Sequence, residues 1–294
     1  MVLLLVFLLH TENTMNMSKI WRDFPFHGCL TSAESSPVLK TLEAQDYPHG
    51  MKCVVLDLLK FEMEIQKLGE EMVIDQYLSL QEQRYWGRLT SGKRKREWLG
   101  GRFAAKYVAA EMLSQAGNNV DWSRLALIYD KTGRPFLVAD NKTLSLPDIS
   151  ISHSVDLAAS MAVIKGLCGI DIQKITDRIE RIRERFCTTH EGQILFSFFS
   201  GTYKQHAVVL TKLWAAKEAL RKVAKDSILP GFLQLELKEI NVCSVNKETD
   251  SWRFIFTRKH NGMNGNYRSK KSTVAVGLIA DYVLARTTTN DSVT

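Results

Sequence analysis

The apolar positions of this chain switch period several times, and each switch marks an element. Met51–Leu59 (MKCVVLDLL) is an almost continuous aliphatic run and predicts a strand. Residues 76–89 carry a helical spacing that Thr90-Ser91-Gly92 breaks, and Ser91 is placed to cap a second helix from Lys93 to about Ala116. Gly117-Asn118-Asn119 ends that helix. Leu125–Tyr129 and Ile149–Ile151 predict short strands, Lys131–Pro135 a turn, and Leu157–Ile164 (LAASMAVI) a strand of small and branched residues. The alternation then starts again. Leu167–Ile172 predicts a strand, residues 177–186 and 189–200 helices, and Ala207–Lys225 a long helix. Leu235–Val245, Trp252–Thr257 and Thr273–Ala280 predict further strands. Residues 18–50, rich in proline and glycine, read as an extended surface arm, and the polar stretch from Thr287 as a disordered tail.

The restart behaves as an internal repeat. Trp98, Arg102 and Lys106 match Trp214, Glu218 and Lys222 as W-x-x-x-[R/E]-x-x-x-K on the main helix of each half. Asp57 lies 45 residues before Arg102, and Asp171 lies 47 before Glu218. Each half closes on a small-residue strand, AASMAVI at 158–164 and TVAVGLI at 273–279. The expected fold is therefore α/β (α+β): a pseudo-dimer of two similar subdomains, each a small antiparallel sheet packed against a long helix. A ligand site between the copies is the natural consequence. The implied boundaries are an arm at 1–50, subdomains at 51–165 and 166–286, and a tail at 287–294.

A net charge of +7 favours anionic partners without choosing among them. Five cysteines (Cys29, Cys53, Cys168, Cys187 and Cys243) show no CxxC or CxxH spacing, which argues against a disulfide framework or zinc site. They read as five small buried residues in a reducing, cytoplasmic setting. Residues 2–9 (VLLLVFLL) fall short of the ~20 residues that cross a bilayer and lack a basic flank, and Met15 and Met17 are alternative starts to Met1.

Two positions carry candidate chemistry. Asp171 sits inside the apolar strand GIDIQ, where a carboxylate is depleted and costly to bury, with Gln173 on the same face two residues on. Alone, Asp171 reads as a strand-end residue satisfied by backbone N–H groups. Glu218 and Lys222, four apart on a good helix, read alone as an exposed salt bridge worth a few tenths of a kcal/mol.

Together, G-I-D, about 40 further residues, then W-x-x-K-E-A-x-x-K resembles the signature of the 4′-phosphopantetheinyl transferase superfamily. Other segments extend the resemblance in order: Lys95-Arg96-Glu97-Trp98-Leu99-Gly100-Gly101-Arg102, Gly133-Arg134-Pro135, Ile151-Ser152-His153-Ser154 and Arg185-Phe186 through Glu191. The duplication and length resemble the monomeric, surfactin-synthetase-activating type and not the short trimeric synthases. The resemblance implies a soluble monomeric enzyme that moves the phosphopantetheine arm of coenzyme A onto a serine of an acidic carrier protein in fatty-acid, polyketide or nonribosomal-peptide synthesis. It binds no nucleic acid and no membrane, and uses Mg²⁺ or Mn²⁺. Asp171 and Glu218 would hold the metal, with Gln173 where many members carry a third carboxylate, and Glu218 would double as general base. Lys222 would balance pyrophosphate charge. Ser152, His153, Arg102 and Arg134 would reach coenzyme phosphates, and Lys95, in the basic run Lys93–Arg96, would contact coenzyme or carrier. Gln173 leaves a non-transferring coenzyme A-binding homologue open, and the basic run leaves open a nucleic-acid module.

Overall fold

The structure, a computed structural model, describes residues 25–32, 35, 36, 39, 50–198, 203–224, 229–245, 250–258 and 270–289. The apolar run at 2–9, much of the predicted arm and residues 290–294 lie outside the described residues.

The N-terminal half begins with β1 (Leu30–Ser32) and β2 (Met51–Asp57). Helices α1 (Leu58–Leu68), α2 (Glu70–Tyr77), α3 (Leu80–Trp86) and the long α4 (Gly92–Gln115) follow. Strands β3 (Leu125–Tyr129), β4 (Pro135–Ala139), β5 (Asp148–Ser154) and β6 (Leu157–Val163) complete it. The C-terminal half repeats the order: β7 (Leu167–Lys174), α5 (Arg178–Arg181), α6 (Thr189–Ser197), the long α7 (Tyr203–Lys222), then β8 (Leu235–Val245), β9 (Asp250–Arg258), β10 (Lys270–Ile279) and β11 (Tyr282–Thr289). One sheet has the order β1-β2-β6-β5, a second β7-β11-β10-β9-β8, and β3 pairs with β4 alone, all antiparallel. Each half is thus a small antiparallel sheet carrying a long helix, as the repeat implies.

Strand alternation explains the layering. In β2, Val54 and Leu56 join the apolar cluster beneath α4, while Cys53 and Val55 enter a cluster shared with Cys168, Ile170 and Ile172 of β7. Both faces of β2 are buried, which is why its sequence reads as a continuous apolar run. A third cluster, with Leu213, Ala216 and Leu220 of α7, fills the C-terminal half.

The two halves superpose in chemistry as well as topology. In the first, a capping box at Ser79 puts Glu82 in the interior, where Lys106 Nζ donates to its carboxylate at 2.7 Å and to the carbonyls of Tyr77 and Trp122. The other Glu82 oxygen accepts from Leu127 N at 3.2 Å. In the second, a capping box at Thr188 buries Glu191, and Lys217 Nζ lies 2.6 Å from its carboxylate while donating to Phe186 and Phe232 carbonyls. Leu237 N donates to the same carboxylate at 2.8 Å. The last hairpins match too: Val155 and Ala280 both take positive φ, and the carbonyls of Asp156 and Asp281 accept from Leu58 N and Ile175 N.

These pairs correct the register expected for the repeat. Lys106 corresponds to Lys217, not Lys222, and Asp57 corresponds to Lys174, not Asp171. Counted from these pairs, the counterparts of Asp171, Glu218 and Lys222 are Val54, Tyr107 and Glu111. The tryptophan match at 98 and 214 was one of composition.

Three other expectations change. The chain from Thr287 is no loose tail: Thr287 is buried, and β11 continues through Thr289 opposite Leu167. The arm contributes Phe26 to the core against Phe61 and Phe103. Cys243 is exposed, while the other four cysteines are buried.

The boundary between halves is closed by side chains. The edges β5 and β7 run alongside each other without backbone pairing. Instead Asp148 Oδ2, Ser150 Oγ and Ser154 Oγ accept from the backbone N–H groups of Cys168, Ile170 and Lys174 at 2.8, 3.1 and 3.1 Å.

Candidate active site

β7 turns Asp171 toward α7, because its alternate residues fill the apolar layer between the halves. Gly169 shares the Asp171 face and sets the approach of the helix: a Cβ there would lie 2.1 Å from the carbonyl oxygen of Ala219. α7 thereby brings Lys222 to the strand. Lys222 Nζ donates to Asp171 Oδ1 at 3.0 Å and to the carbonyls of Ile170 and Ile151 at 2.7 and 3.2 Å. Ser152, from the other half, donates to the same Oδ1 at 2.8 Å. Asp171 is 6% exposed, and its Oδ2 is buried and accepts no hydrogen bond. A carboxylate oxygen in that position is costly unless a donor or cation completes it.

Glu218, one turn before Lys222, is the second carboxylate. Burial, and next the charge of Asp171, raise its carboxyl above the ordinary value, while Arg221 at 3.2 Å and Lys222 pull it down. A carboxyl held up in this way is better matched to proton transfer near neutrality. Two carboxylates are the donor set a hard divalent cation takes alongside phosphate oxygens. Among the described residues no group of three or more His, Cys, Asp or Glu is placed to hold a metal ion. Gln173 follows on the Asp171 face of β7, half-buried opposite Val283.

A cavity of about 570 Å³ opens in the N-terminal half beside α3 and β3. Arg84, Arg88 and Arg102 give it a positive lining, and Tyr85, Trp98 and Tyr129 give it flat walls. Tyr85 stacks on Trp98 with 14° between the planes, and the Arg102 guanidinium lies 3.5 Å from the Trp98 ring centre. A smaller cleft of about 160 Å³ shares Trp98, Arg102 and Tyr129 and reaches Ile151 and His153. Lys222 donates to the carbonyl of the same Ile151, which links the cleft to the carboxylate pair through one residue of β5.

Residues 167–285, from β7 into β11, match the family model described as "4′-phosphopantetheinyl transferase superfamily". A holo-[acyl-carrier-protein] synthase of Geobacillus sp. (strain WCH70) is 34% identical over 119 residues, 40% of this chain and 97% of that protein. The chain belongs to the 4′-phosphopantetheinyl transferase superfamily. The Bacillus subtilis (strain 168) holo-[acyl-carrier-protein] synthase is 30% identical over 95 residues, 32% of this chain and 70% of that protein. Among solved structures, the holo-(acyl-carrier-protein) synthase of Bacillus anthracis in complex with coenzyme A aligns over 39% of this chain and 93% of its own, at 24% identity and a TM-score of 0.31.

In this superfamily member the expected site residues are distributed unevenly. Asp171, Glu218, Lys222 and Ser152 meet at the boundary. Arg102 and His153 line the adjoining cleft, with His153 Nδ1 3.9 Å from Glu97. Arg134 lines neither cavity: its guanidinium is bonded to the Asp148 carboxylate and to the carbonyls of Lys222 and Cys168, so it ties the two halves together. Lys95 lies on another side of α4, 4.6 Å over the Trp86 ring and 4.0 Å from Glu70, in a separate groove with Phe61 and Leu99. The rest of the basic run disperses around the helix, with Lys93 3.7 Å from Glu97 and Arg96 2.9 Å from Glu62. Arg84, Arg88 and Tyr129 line the cavities without having stood out in the sequence, and Arg94, from the basic run, lines the smaller one. Their signal is the segment itself, since the Ser79-x-x-Glu82 capping box repeats as Thr188-x-x-Glu191 and marks the helix that carries Arg84.

Proposed function

We propose that this chain transfers the 4′-phosphopantetheine arm of coenzyme A to a serine of an acidic carrier protein, releasing adenosine 3′,5′-bisphosphate. The observation that carries this reading is the pair Asp171 and Glu218, with Asp171 Oδ2 left open, and an arginine- and aromatic-lined cleft that reaches Ile151, whose carbonyl accepts from Lys222. The serine oxygen forms a bond to the β-phosphorus of coenzyme A, and the bond from that phosphorus to the bridging oxygen breaks. The electron pair leaves with the nucleoside bisphosphate, and Glu218 accepts the serine proton. Asp171 and Glu218 would hold a magnesium ion, which when bound supplies positive charge to the pyrophosphate. Arg84, Arg88 and Arg102 offer forked donors to the remaining coenzyme phosphates, and the exposed Tyr129 offers a face to its base. Arg178, Arg181 and Arg185, exposed just after β7, suit an acidic carrier surface.

Intact-mass spectrometry of an apo-carrier protein incubated with coenzyme A and Mg²⁺ tests the reading. The carrier should gain the mass of the phosphopantetheine arm, and EDTA should abolish the gain. Coenzyme A binding without a mass change would instead make this a non-transferring homologue. Retention of nucleic acid alone would favour the basic helix.

A further inference from the structure

We propose that Ser152 is a positioning residue for Asp171, not a coenzyme phosphate ligand; this deepens the proposed function and rests on its metal assignment. The side chains of β5 set a rule along the boundary. Asp148, Ser150 and Ser154 each cap the β7 backbone N–H twenty residues ahead. Ser152 keeps the two-residue spacing along β5 but breaks the rule, donating its hydroxyl proton to the side chain of Asp171, at Oδ1, at 2.8 Å. It is 8% exposed, and its one hydroxyl proton is held by Asp171, so it has no donor left for a phosphate.

The consequence lies on the other carboxylate oxygen. Lys222 Nζ and Ser152 Oγ approach the same atom, Oδ1, from the two halves. Oδ1 is thereby occupied and the carboxylate plane fixed. Oδ2, buried and without a hydrogen-bond donor, is the oxygen left to meet a cation. Outer partners of this kind orient a ligand without touching the metal, and their loss typically weakens metal binding about 10–100-fold. Lys222 alone does not set the carboxylate plane, because one contact at Oδ1 leaves the carboxylate free to turn about it. Ser152 supplies the second fixed point, and it comes from the half that lacks the carboxylates, so binding of the cation depends on the halves being docked.

Mn²⁺ binding followed by electron paramagnetic resonance tests this on the intact chain, beside calorimetry of coenzyme A binding in EDTA. Ser152→Ala should weaken Mn²⁺ binding about tenfold or more while leaving metal-free coenzyme A affinity unchanged. Ser152→Thr, which keeps the hydroxyl and suits a strand, should restore Mn²⁺ binding. Wild-type Mn²⁺ affinity in Ser152→Ala would overturn the proposal, as would a loss of metal-free coenzyme A binding that Mn²⁺ affinity does not share. Asp171→Ala separates the two levels: if it too binds Mn²⁺ normally, the metal assignment itself fails. If Asp171→Ala alone loses Mn²⁺, only the positioning role fails. Thermal melts identify any variant whose fold is lost, and the Thr variant then carries the test.

Discussion

The two halves share a frame and differ in what they attach to it. Each anchors its long helix with the same buried device, a glutamate from a capping box bonded to a helix lysine that also serves two carbonyls. One residue after that lysine, the C-terminal half places Glu218 and the N-terminal half Tyr107. Four residues later they place Lys222 and Glu111. Lys222 reaches back to Asp171 on β7, and Glu111 reaches back to Lys52 on β2 at 2.8 Å, two residues before the counterpart of Asp171. An ion pair between long helix and strand is kept, with the charges exchanged and its place on the strand moved. A duplicated frame thus carries carboxylates and a lysine on one side, and arginines with aromatic walls on the other. A dense phosphate ligand needs both kinds of surface, and one symmetric unit offers only one of them.

The sharpest test of this division compares functional residues with their counterparts. Asp171→Ala and Glu218→Ala should each lower turnover by on the order of 10⁴, ~5.5 kcal/mol of barrier, with folding intact. Val54→Ala and Tyr107→Phe, at the same places in the other half, should alter stability and leave turnover near wild type in a steady-state carrier-loading assay. A comparable loss of turnover at Tyr107 would end the division of labour.

The shared anchors should instead both act on stability. Lys217→Met leaves the buried Glu191 without its cation and should cost about 3–5 kcal/mol in urea unfolding, and Lys106→Met, which leaves Glu82 the Arg102 guanidinium at 3.5 Å, should cost less. Removing both partners, as Glu191→Gln with Lys217→Met, should recover much of that loss, since no uncompensated charge then remains. An effect in one half alone would mean that the anchors are not equivalent.

Two glycines give the smallest and most selective contrast. At Gly169 a new Cβ meets the backbone oxygen of Ala219 at 2.1 Å, which cannot move without moving α7. At Gly100 it meets Leu58 Cδ2 at 2.1 Å, the end of a flexible side chain. Gly169→Ala should cost about 1–3 kcal/mol and lower kcat more than it raises KM for coenzyme A. Gly100→Ala should cost less and spare kcat. Equal kcat values for the two variants would show that the spacing of β7 and α7 does not control the site.

Much of this architecture was legible in the chain because period and punctuation agree. Ser91 caps α4 where the sequence places a cap, and the apolar stripe of α7 announces a buried helix. Failures occurred where one residue has two duties. Asp57 closes β2 and also accepts from Leu59 and Lys60 N–H groups as the cap of α1, so the run MKCVVLDLL hid a strand-to-helix junction and α1 was missed. Thr287 looks like tail composition, yet its hydroxyl donates to the Thr273 carbonyl inside the sheet. Of the site, the motif residues of the C-terminal half were visible, because a carboxylate in an apolar strand is anomalous by itself. Arg134 and Lys95 lie apart from the other expected site residues, because charge in a sequence carries no direction. Arg134 turns to carbonyls across the boundary, and Lys95 turns to Trp86.

The side-chain rungs from β5 also guard against a hazard. A terminal strand with unpaired N–H groups is a template onto which another chain can add, the usual route to fibrils and swapped assemblies. β7 ends its sheet, and the N–H groups of Cys168, Ile170 and Lys174 are occupied by an aspartate and two serines in place of a neighbouring backbone. Short polar side chains satisfy those donors without extending the hydrogen-bond ladder to a further strand. The C-terminal half released from its partner would bare that margin at the strand that carries Asp171, so self-association and loss of the Ser152 contact to that carboxylate would arrive together.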